Sequence, residues 1–137
     1  MANHPFIIRG IDHLVLRVRE LPRSVAFYCE VLGCTLERQQ PELGLTQLRA
    51  GASLIDLVTL DGPLGAGEPP GTGRNLDHFC LTVAPFDETA LIAWLSARGV
   101  MAGEPASRYG AEGEGRSVYI EDPDGNRVEL KAARSAR

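Results

Sequence analysis

The chain opens with alternating hydrophobic and polar positions, and the same pattern returns in its second half. Ile11 to Val18 alternates as a half-buried strand does, and Leu76 to Val83 repeats that alternation. A helical stripe of apolar residues follows each strand and ends at a glycine, Gly33 in the first half and Gly99 in the second. Further strands are predicted after each helix, over 34–38, 43–49 and 53–60 in the first half and over 100–104 and both arms of 117–130 in the second.

An internal repeat of this kind indicates two similar supersecondary units. We therefore predict an α+β fold in which two strand–helix–three-strand (βαβββ) modules, related by approximate twofold symmetry, form one domain over residues 1–137. Module one covers about residues 9–60 and module two covers residues 76–132. Residues 61–75 between them carry five Gly and three Pro, as a linker does.

The most regular stretch of the chain is Ser117 to Leu130, in which two alternating arms flank a turn over residues 122–126. Pro123 presets φ early in that turn, and Asp124 is expected to bond its own backbone. The segment just before it, Ser107 to Gly115, is rich in glycine and is predicted to be a mobile loop. The pattern thus predicts a mobile loop that is followed by a well-formed hairpin.

Composition narrows the classes of function. A net charge of −4 gives no reason to expect nucleic-acid binding, because proteins that bind nucleic acid carry basic patches. The sequence has no apolar run near the roughly 20 residues that a membrane span needs, and no signal-peptide pattern, so we expect a cytoplasmic protein. Cys29, Cys34 and Cys80 are odd in number and fit no zinc spacing. Cys29 and Cys80 are expected to be buried free thiols, and Cys34 the thiol most open to oxidation.

Four candidate metal ligands occupy positions that correspond between the two halves. His13 and His78 each follow an aspartate at the start of a first strand, while Asp56 and Glu129 lie in the last strand of each half. Two imidazoles with one or two carboxylates suit a divalent ion that keeps open positions for substrate. A lone strand histidine is usually an ordinary core or surface residue, and an edge strand could solvate Asp56. Two matched pairs favour metal binding.

Four stretches of the sequence resemble a known family: IDHLVLRV with SVAFYCEVLG, LDHFCLTV, and SVYIEDPDGNRVEL. They resemble the vicinal oxygen chelate superfamily, which includes glyoxalase I, fosfomycin-resistance thiol transferases, extradiol dioxygenases and bleomycin-resistance proteins. The resemblance implies paired βαβββ modules, a metal held by His13, His78 and Glu129, and a homodimer that completes the cleft. In the glyoxalase I pattern a fourth, glutamate ligand falls at Asp56. The aspartate is one methylene shorter, so direct ligation, contact through water and no contact all stay open.

The resemblance implies a metal-dependent enzyme of glyoxalase I type, similar to lactoylglutathione lyase, that acts on a small vicinal-oxygen substrate such as a thiol conjugate. It would use one Ni, Zn, Mn, Co or Fe ion, and Glu129 or Asp56 would move a proton between carbons. The alternatives are a thiol transferase, an iron dioxygenase, or a binding module without chemistry. Because binding members would not be expected to keep the full ligand set, an enzyme is preferred. Residues expected to hold or cover an anionic substrate, each of which could equally be an ordinary surface residue, are Arg17, Arg116, Tyr119 and Tyr109.

Overall fold

A computed structural model describes residues 9–67 and 76–134 of the chain. It divides into two compact units after Gly67. Residues 1–8, which include His4, and residues 68–75 of the predicted linker lie outside the described residues. Within the described ranges, no helix has both the length and the apolar character needed to cross a bilayer.

The first unit consists of one four-stranded mixed sheet and one helical segment. The strand order is β1-β4-β3-β2, with β1 and β4 parallel and the other pairs antiparallel. A short 3₁₀ turn separates β2 from β3. The elements are β1 (His13–Val18), helix α1 (Leu21–Val25) continued by a π-helical segment (Ala26–Val31), β2 (Thr35–Gln40), β3 (Leu45–Ala50) and β4 (Ser53–Thr59).

One face of this sheet forms the core of the first unit, and α1 contacts β4 there. The helix predicted from the apolar stripe is present, but its second half is π-helical because the amide of Leu32 bonds the carbonyl of Phe27, five residues back. Gly33 then ends the helical segment with a φ of 85°. The buried residues of this core are Leu16, Val18, Phe27, Tyr28, Leu48, Ile55 and Leu57.

The second unit repeats the arrangement of the first. Its strand order is β5-β8-β7-β6, again with the first and last strands parallel. The predicted fold class is therefore confirmed in each unit, since both contain one strand, one helix and three further strands. The elements are β5 (Phe79–Val83), α2 (Glu88–Ala97), β6 (Ala106–Gly110), β7 (Gly113–Glu121) and β8 (Arg127–Ala132).

Helix α2 buries only part of its apolar stripe. The amide of Ala90 donates to the Asp87 carboxylate at 3.1 Å, so Asp87 is the N-cap. Trp94 belongs to the stripe, yet it is 46% exposed. Its ring is instead covered by the guanidinium of Arg98, 3.1 Å from the ring centroid. The buried residues of the second unit's core are Leu95, Val118, Ile120, Val128 and Leu130.

The glycine-rich segment before the hairpin is a strand pair, so both the predicted mobile loop and the predicted strand over 100–104 are wrong. The side chain of Lys131 explains the glycines. A Cβ on Gly110 would lie 3.1 Å from Lys131 Cε, and one on Gly115 would lie 3.0 Å from Lys131 Nζ. Lys131 is buried, and its Nζ donates to the carbonyl of Gly113 at 2.8 Å. These glycines make room for a side chain.

The hairpin turn is organised by the carboxylate of Asp122. The amides of Asp124 and Asn126 donate to Asp122 Oδ1 at 2.9 and 2.8 Å, and Asn126 Nδ2 donates to Asp122 Oδ2 at 2.8 Å. A buried carboxylate with three such donors holds the loop in one conformation. The turn thereby fixes the register that places Tyr119 opposite Glu129.

Candidate functional site

In the second unit, the sheet face away from the core carries a histidine and a carboxylate in contact. Glu129 lies on β8 opposite Cys80 of β5, and His78 directly precedes β5 on the same face. His78 Nε2 is 3.3 Å from Glu129 Oε1. Glu129 is only 6% exposed, so its carboxylate depends on partners within the protein. The structure thus brings together two of the predicted ligands.

The aspartate before each histidine sets the direction of the imidazole ring. His78 Nδ1 donates to Asp77 Oδ2 at 2.7 Å, and His13 Nδ1 donates to Asp12 Oδ2 at the same distance. Each bond leaves Nε2 as the nitrogen available to a ligand. A carboxylate that holds the second nitrogen is usual for metal-binding histidines. The repeated Asp-His pair in the sequence was the signal for this role, which the sequence pattern alone did not assign.

Positive charge surrounds the aromatic neighbour of this pair. The ring of Tyr119 meets the His78 ring edge-on, with centroids 5.2 Å apart. The guanidinium carbons of Arg108 and Arg127 lie 4.6 and 4.8 Å from the centroid of the Tyr119 ring. Arg108 and Arg127 were missed in the sequence, because their approach to Tyr119 depends on the strand register.

In the first unit, Asp56 is buried beside the strand that carries His13. Strand β4 lies between β1 and β3, so the alternative of a solvated edge position is wrong. Asp56 is 5% exposed and pairs with Val15, which places it on the same face as His13. The hydrogen bond that His13 donates to Asp12 raises the pKa of His13. Desolvation opposes this rise, and the negative charge of Asp56 adds to it. Gln47 Nε2 donates to both oxygens of Asp56, at 3.2 and 3.1 Å.

The residues predicted to bind an anionic substrate have different surroundings. Tyr119 lies beside His78, as described above. Arg17 shares the His13 face of β1, and its Nε donates to the carbonyl of Gly65 at 2.9 Å. Arg116 lies on the opposite face of β7 from Tyr119 and forms an ion pair with Glu88 of α2. Tyr109 is exposed on β6. Of the three candidates in the second unit, Tyr119 is the one that lies next to the His78–Glu129 pair.

The donor chemistry of the second unit fits a divalent metal ion. Two ligands bound at about 2.1 Å to one ion lie roughly 3.0–3.5 Å apart, and the His78–Glu129 contact falls in that range. Among the described residues, no three His, Cys, Asp or Glu side chains are grouped as a metal site would require. Each unit contains one predicted histidine and one predicted carboxylate.

The cysteines differ from expectation in their exposure. Cys80 is exposed, so the prediction that it is buried is wrong, and Cys29 and Cys34 are partly buried. The reason is the strand face, since Cys80 lies on the polar side with Glu129. Burial, with a smaller contribution from Cys29, raises the pKa of Cys34 to about 11. A thiol that stays protonated at neutral pH is a poor nucleophile, which disfavours the oxidation expected at Cys34.

We expect Cys34 to react with iodoacetamide at pH 8 at least about tenfold more slowly in the folded protein than in urea, because its raised pKa depletes the thiolate. The rate should rise with pH towards 11, since the thiolate fraction grows until the raised pKa is reached. Peptide mapping by mass spectrometry measures labelling at each cysteine. Equal labelling rates for Cys34 in the folded and urea-unfolded protein would contradict a raised pKa for its thiol in the folded state.

Comparisons with known proteins agree with this arrangement of elements. The family model for the Glyoxalase/Bleomycin resistance protein/Dioxygenase superfamily matches residues 10–130. Virulence protein STM3117 of Salmonella typhimurium is 33% identical over 127 residues, which cover 90% of this chain and 84% of that protein. Its crystal structure superimposes with a TM-score of 0.75 at 30% identity, over 94% of this chain and 100% of that one. The two proteins therefore share a fold.

Two further relatives have names that state an activity. Glutathione transferase FosA of Serratia marcescens is 32% identical over 127 residues, which cover 90% of this chain and 81% of that protein. Catechol-2,3-dioxygenase of Bacillus subtilis is 27% identical over 125 residues, but the chain spans 41% of that protein. The similarity to the transferase thus extends over nearly the whole of both chains.

Proposed function

Because the chain belongs to the Glyoxalase/Bleomycin resistance protein/Dioxygenase superfamily, we propose that it is a metal-dependent enzyme in which His13, His78 and Glu129 hold one divalent ion. The observation that carries this proposal is the 3.3 Å contact between His78 Nε2 and Glu129 Oε1. A simple ion pair would explain that contact alone. It would not explain why His13, at the corresponding place in the other unit, has the same aspartate bond at Nδ1.

The proposed ligand set determines which ions and which chemistry are available. Two neutral imidazoles and one carboxylate suit Ni, Zn, Mn, Co or Fe and leave positions open for substrate oxygens. When bound, the ion would polarise two neighbouring oxygens of a small substrate and acidify the adjacent C–H bond. The aspartates at Nδ1 support this role because they keep each imidazole oriented and increase its basicity.

We infer a proton transfer of glyoxalase type as the reaction. Glu129 serves as a metal ligand. A carboxylate oxygen of Asp56 accepts the proton from one substrate carbon and returns it to the neighbouring carbon. Asp56 suits this step because it is buried, shares the face of His13 and is separate from the His78–Glu129 contact. The guanidinium groups of Arg108 and Arg127 beside Tyr119 favour a substrate with an anionic group, such as a thiol conjugate.

Thiol transfer to an electrophilic carbon is the second candidate, and the similarity to Glutathione transferase FosA favours it. In that reaction the substrate thiol forms the new bond, so a carboxylate that moves a proton between carbons is not required. Asp56→Asn therefore separates the two reactions. It should nearly abolish proton transfer and have little effect on thiol transfer. The homodimer implied by the family resemblance stays a prediction.

Metal content is the first test of the proposal. The protein is stripped with a chelator, reloaded with each of the five ions, and assayed with the hemithioacetal of methylglyoxal and glutathione, and with glutathione plus an epoxide. We expect about one ion per chain and activity that returns with the metal. His78→Ala should stay folded by circular dichroism and lose the ion, because one of two oriented imidazoles is missing.

Thr82→Ala is the matched control, since Thr82 is an exposed residue further along the same face of β5. It should keep the wild-type metal content. Unchanged stoichiometry in His78→Ala would reject the assignment of His78. A wild-type protein that takes up no ion under any loading condition would support the alternative of a binding module without chemistry.

A further inference from the structure

The carboxylate of Asp56 is held by hydrogen bonds that run across three strands. Arg38 Nε on β2 donates to Gln47 Oε1 on β3 at 2.8 Å. Gln47 Nε2 then donates to Asp56 Oδ1 and Oδ2 on β4, at 3.2 and 3.1 Å. Because the carbonyl end of the Gln47 amide accepts from a guanidinium, its N–H groups are directed at the carboxylate. Reversing the amide would place two acceptors together.

A bulge in β2 creates this arrangement. Leu36 pairs with Leu48, yet Arg38 rather than Glu37 pairs with Gln47, since the register shifts between Leu36 and Arg38. In an unbroken ladder Glu37 would face Gln47. A second carboxylate would then take the place of Arg38 in the series of hydrogen bonds that ends at Asp56. Bulges commonly re-aim a side chain in this manner. Glu37 instead forms an ion pair with Arg49, in which Arg49 Nε lies 3.2 Å from Glu37 Oε1.

The corresponding carboxylate of the second unit has different neighbours. Tyr119 is opposite Glu129 on the adjacent strand, as Gln47 is opposite Asp56. The Glu129 carboxylate meets His78 Nε2 at 3.3 Å, whereas both oxygens of Asp56 accept from an amide. The corresponding carboxylates of the two units therefore have different partners: Glu129 contacts a histidine, and Asp56 accepts hydrogen bonds from a glutamine.

We propose that Gln47, held by Arg38, is a positioning residue that keeps Asp56 out of the coordination sphere of the metal, and this rests on the proposed site of His13, His78 and Glu129. An Asp56 carboxylate that moved to the ion would leave the partly buried Gln47 amide without its carboxylate acceptor. Restrained in this way, Asp56 is available for proton transfer, and one more coordination position stays open for substrate oxygen.

Cobalt(II) loaded into the chelator-stripped full-length protein tests the proposal, because its visible absorption depends on the number and kind of ligands. Asp56→Asn should give the wild-type spectrum and a Co²⁺ Kd within about threefold of the wild type, since no ligand is lost. Gln47→Leu should alter the spectrum, because the released carboxylate reaches the ion beside His13. The double variant Gln47→Leu with Asp56→Asn should return to the wild-type spectrum.

Gln39→Leu is the matched control, since it makes the same substitution at an exposed position of β2 and should leave the spectrum unchanged. A changed spectrum in Asp56→Asn, or a loss of Co²⁺ affinity beyond about tenfold, would make Asp56 a ligand and overturn the proposal. A wild-type spectrum in Gln47→Leu would show that Gln47 restrains nothing. Failure of the wild-type protein to bind Co²⁺ would reject the metal site itself, and this inference with it.

Discussion

Glu129→Ala is expected to remove the metal ion and to lower kcat/KM by at least about a thousandfold. Glu129 is the carboxylate proposed to offset the ion's positive charge, and it is only 6% exposed. The variant also leaves His78 Nε2 without the oxygen now 3.3 Å away. Elemental analysis gives the metal content, and the hemithioacetal of methylglyoxal and glutathione serves as the substrate.

One further variant separates the charge of Glu129 from its shape, and a second serves as the control. Glu129→Gln keeps the volume and one oxygen but removes the charge, so it should bind the ion weakly and show little activity. Glu104→Ala removes an exposed carboxylate elsewhere in the second unit and should behave as the wild type does. Wild-type metal affinity in Glu129→Ala would contradict the proposed ligand set, provided that circular dichroism shows a folded protein.

Leu57→Ala is expected to lower the free energy of unfolding by about 2–5 kcal/mol. Leu57 is fully buried on the core face of β4, opposite Leu16 of β1. Its truncation leaves a cavity beneath the strand that carries Asp56. Urea unfolding followed by circular dichroism measures the change. Under native conditions the metal content should stay at the wild-type value, because no proposed ligand is altered.

Leu36→Ala provides the comparison for the core variant. Leu36 is 55% exposed on β2, so the same truncation should cost less than about 1 kcal/mol. Similar losses in Leu57→Ala and Leu36→Ala would mean that the first unit does not depend on the core described above.

Alternation and repetition in the sequence predicted most elements of both units, and the strand pair β6–β7 is the exception. Ile11 to Val18 and Leu76 to Val83 are each half-buried strands over most of their length, and the glycine after each helix ends it. The prediction of a mobile loop from Ser107 to Gly115 was wrong, because composition does not distinguish a glycine that allows backbone motion from a glycine that leaves space for a neighbouring side chain. The room at Gly115 is taken by Lys131, sixteen positions along the chain and on a neighbouring strand.

The candidate site was predictable where both halves of the chain carry the same signal. His13 and His78 stand out because each follows an aspartate at the same place in its unit. Gln47 gave no such signal, because its counterpart is a tyrosine and its partner Arg38 reaches it only through a bulge. Local patterns do not encode a register shift, so this part of the site required the structure.

Each unit joins its first strand to its last, since β1 lies beside β4 and β5 beside β8. The candidate donors in each unit therefore come from opposite ends of its sequence, with a helix and two strands between them. Such long-range pairing is slow to form, because the intervening chain must be ordered before the strands meet. A partly synthesised unit has no preformed donor pair. Uptake of the proposed ion would consequently report that the final strand has docked, because the donor pair of each unit exists only after that strand is in place.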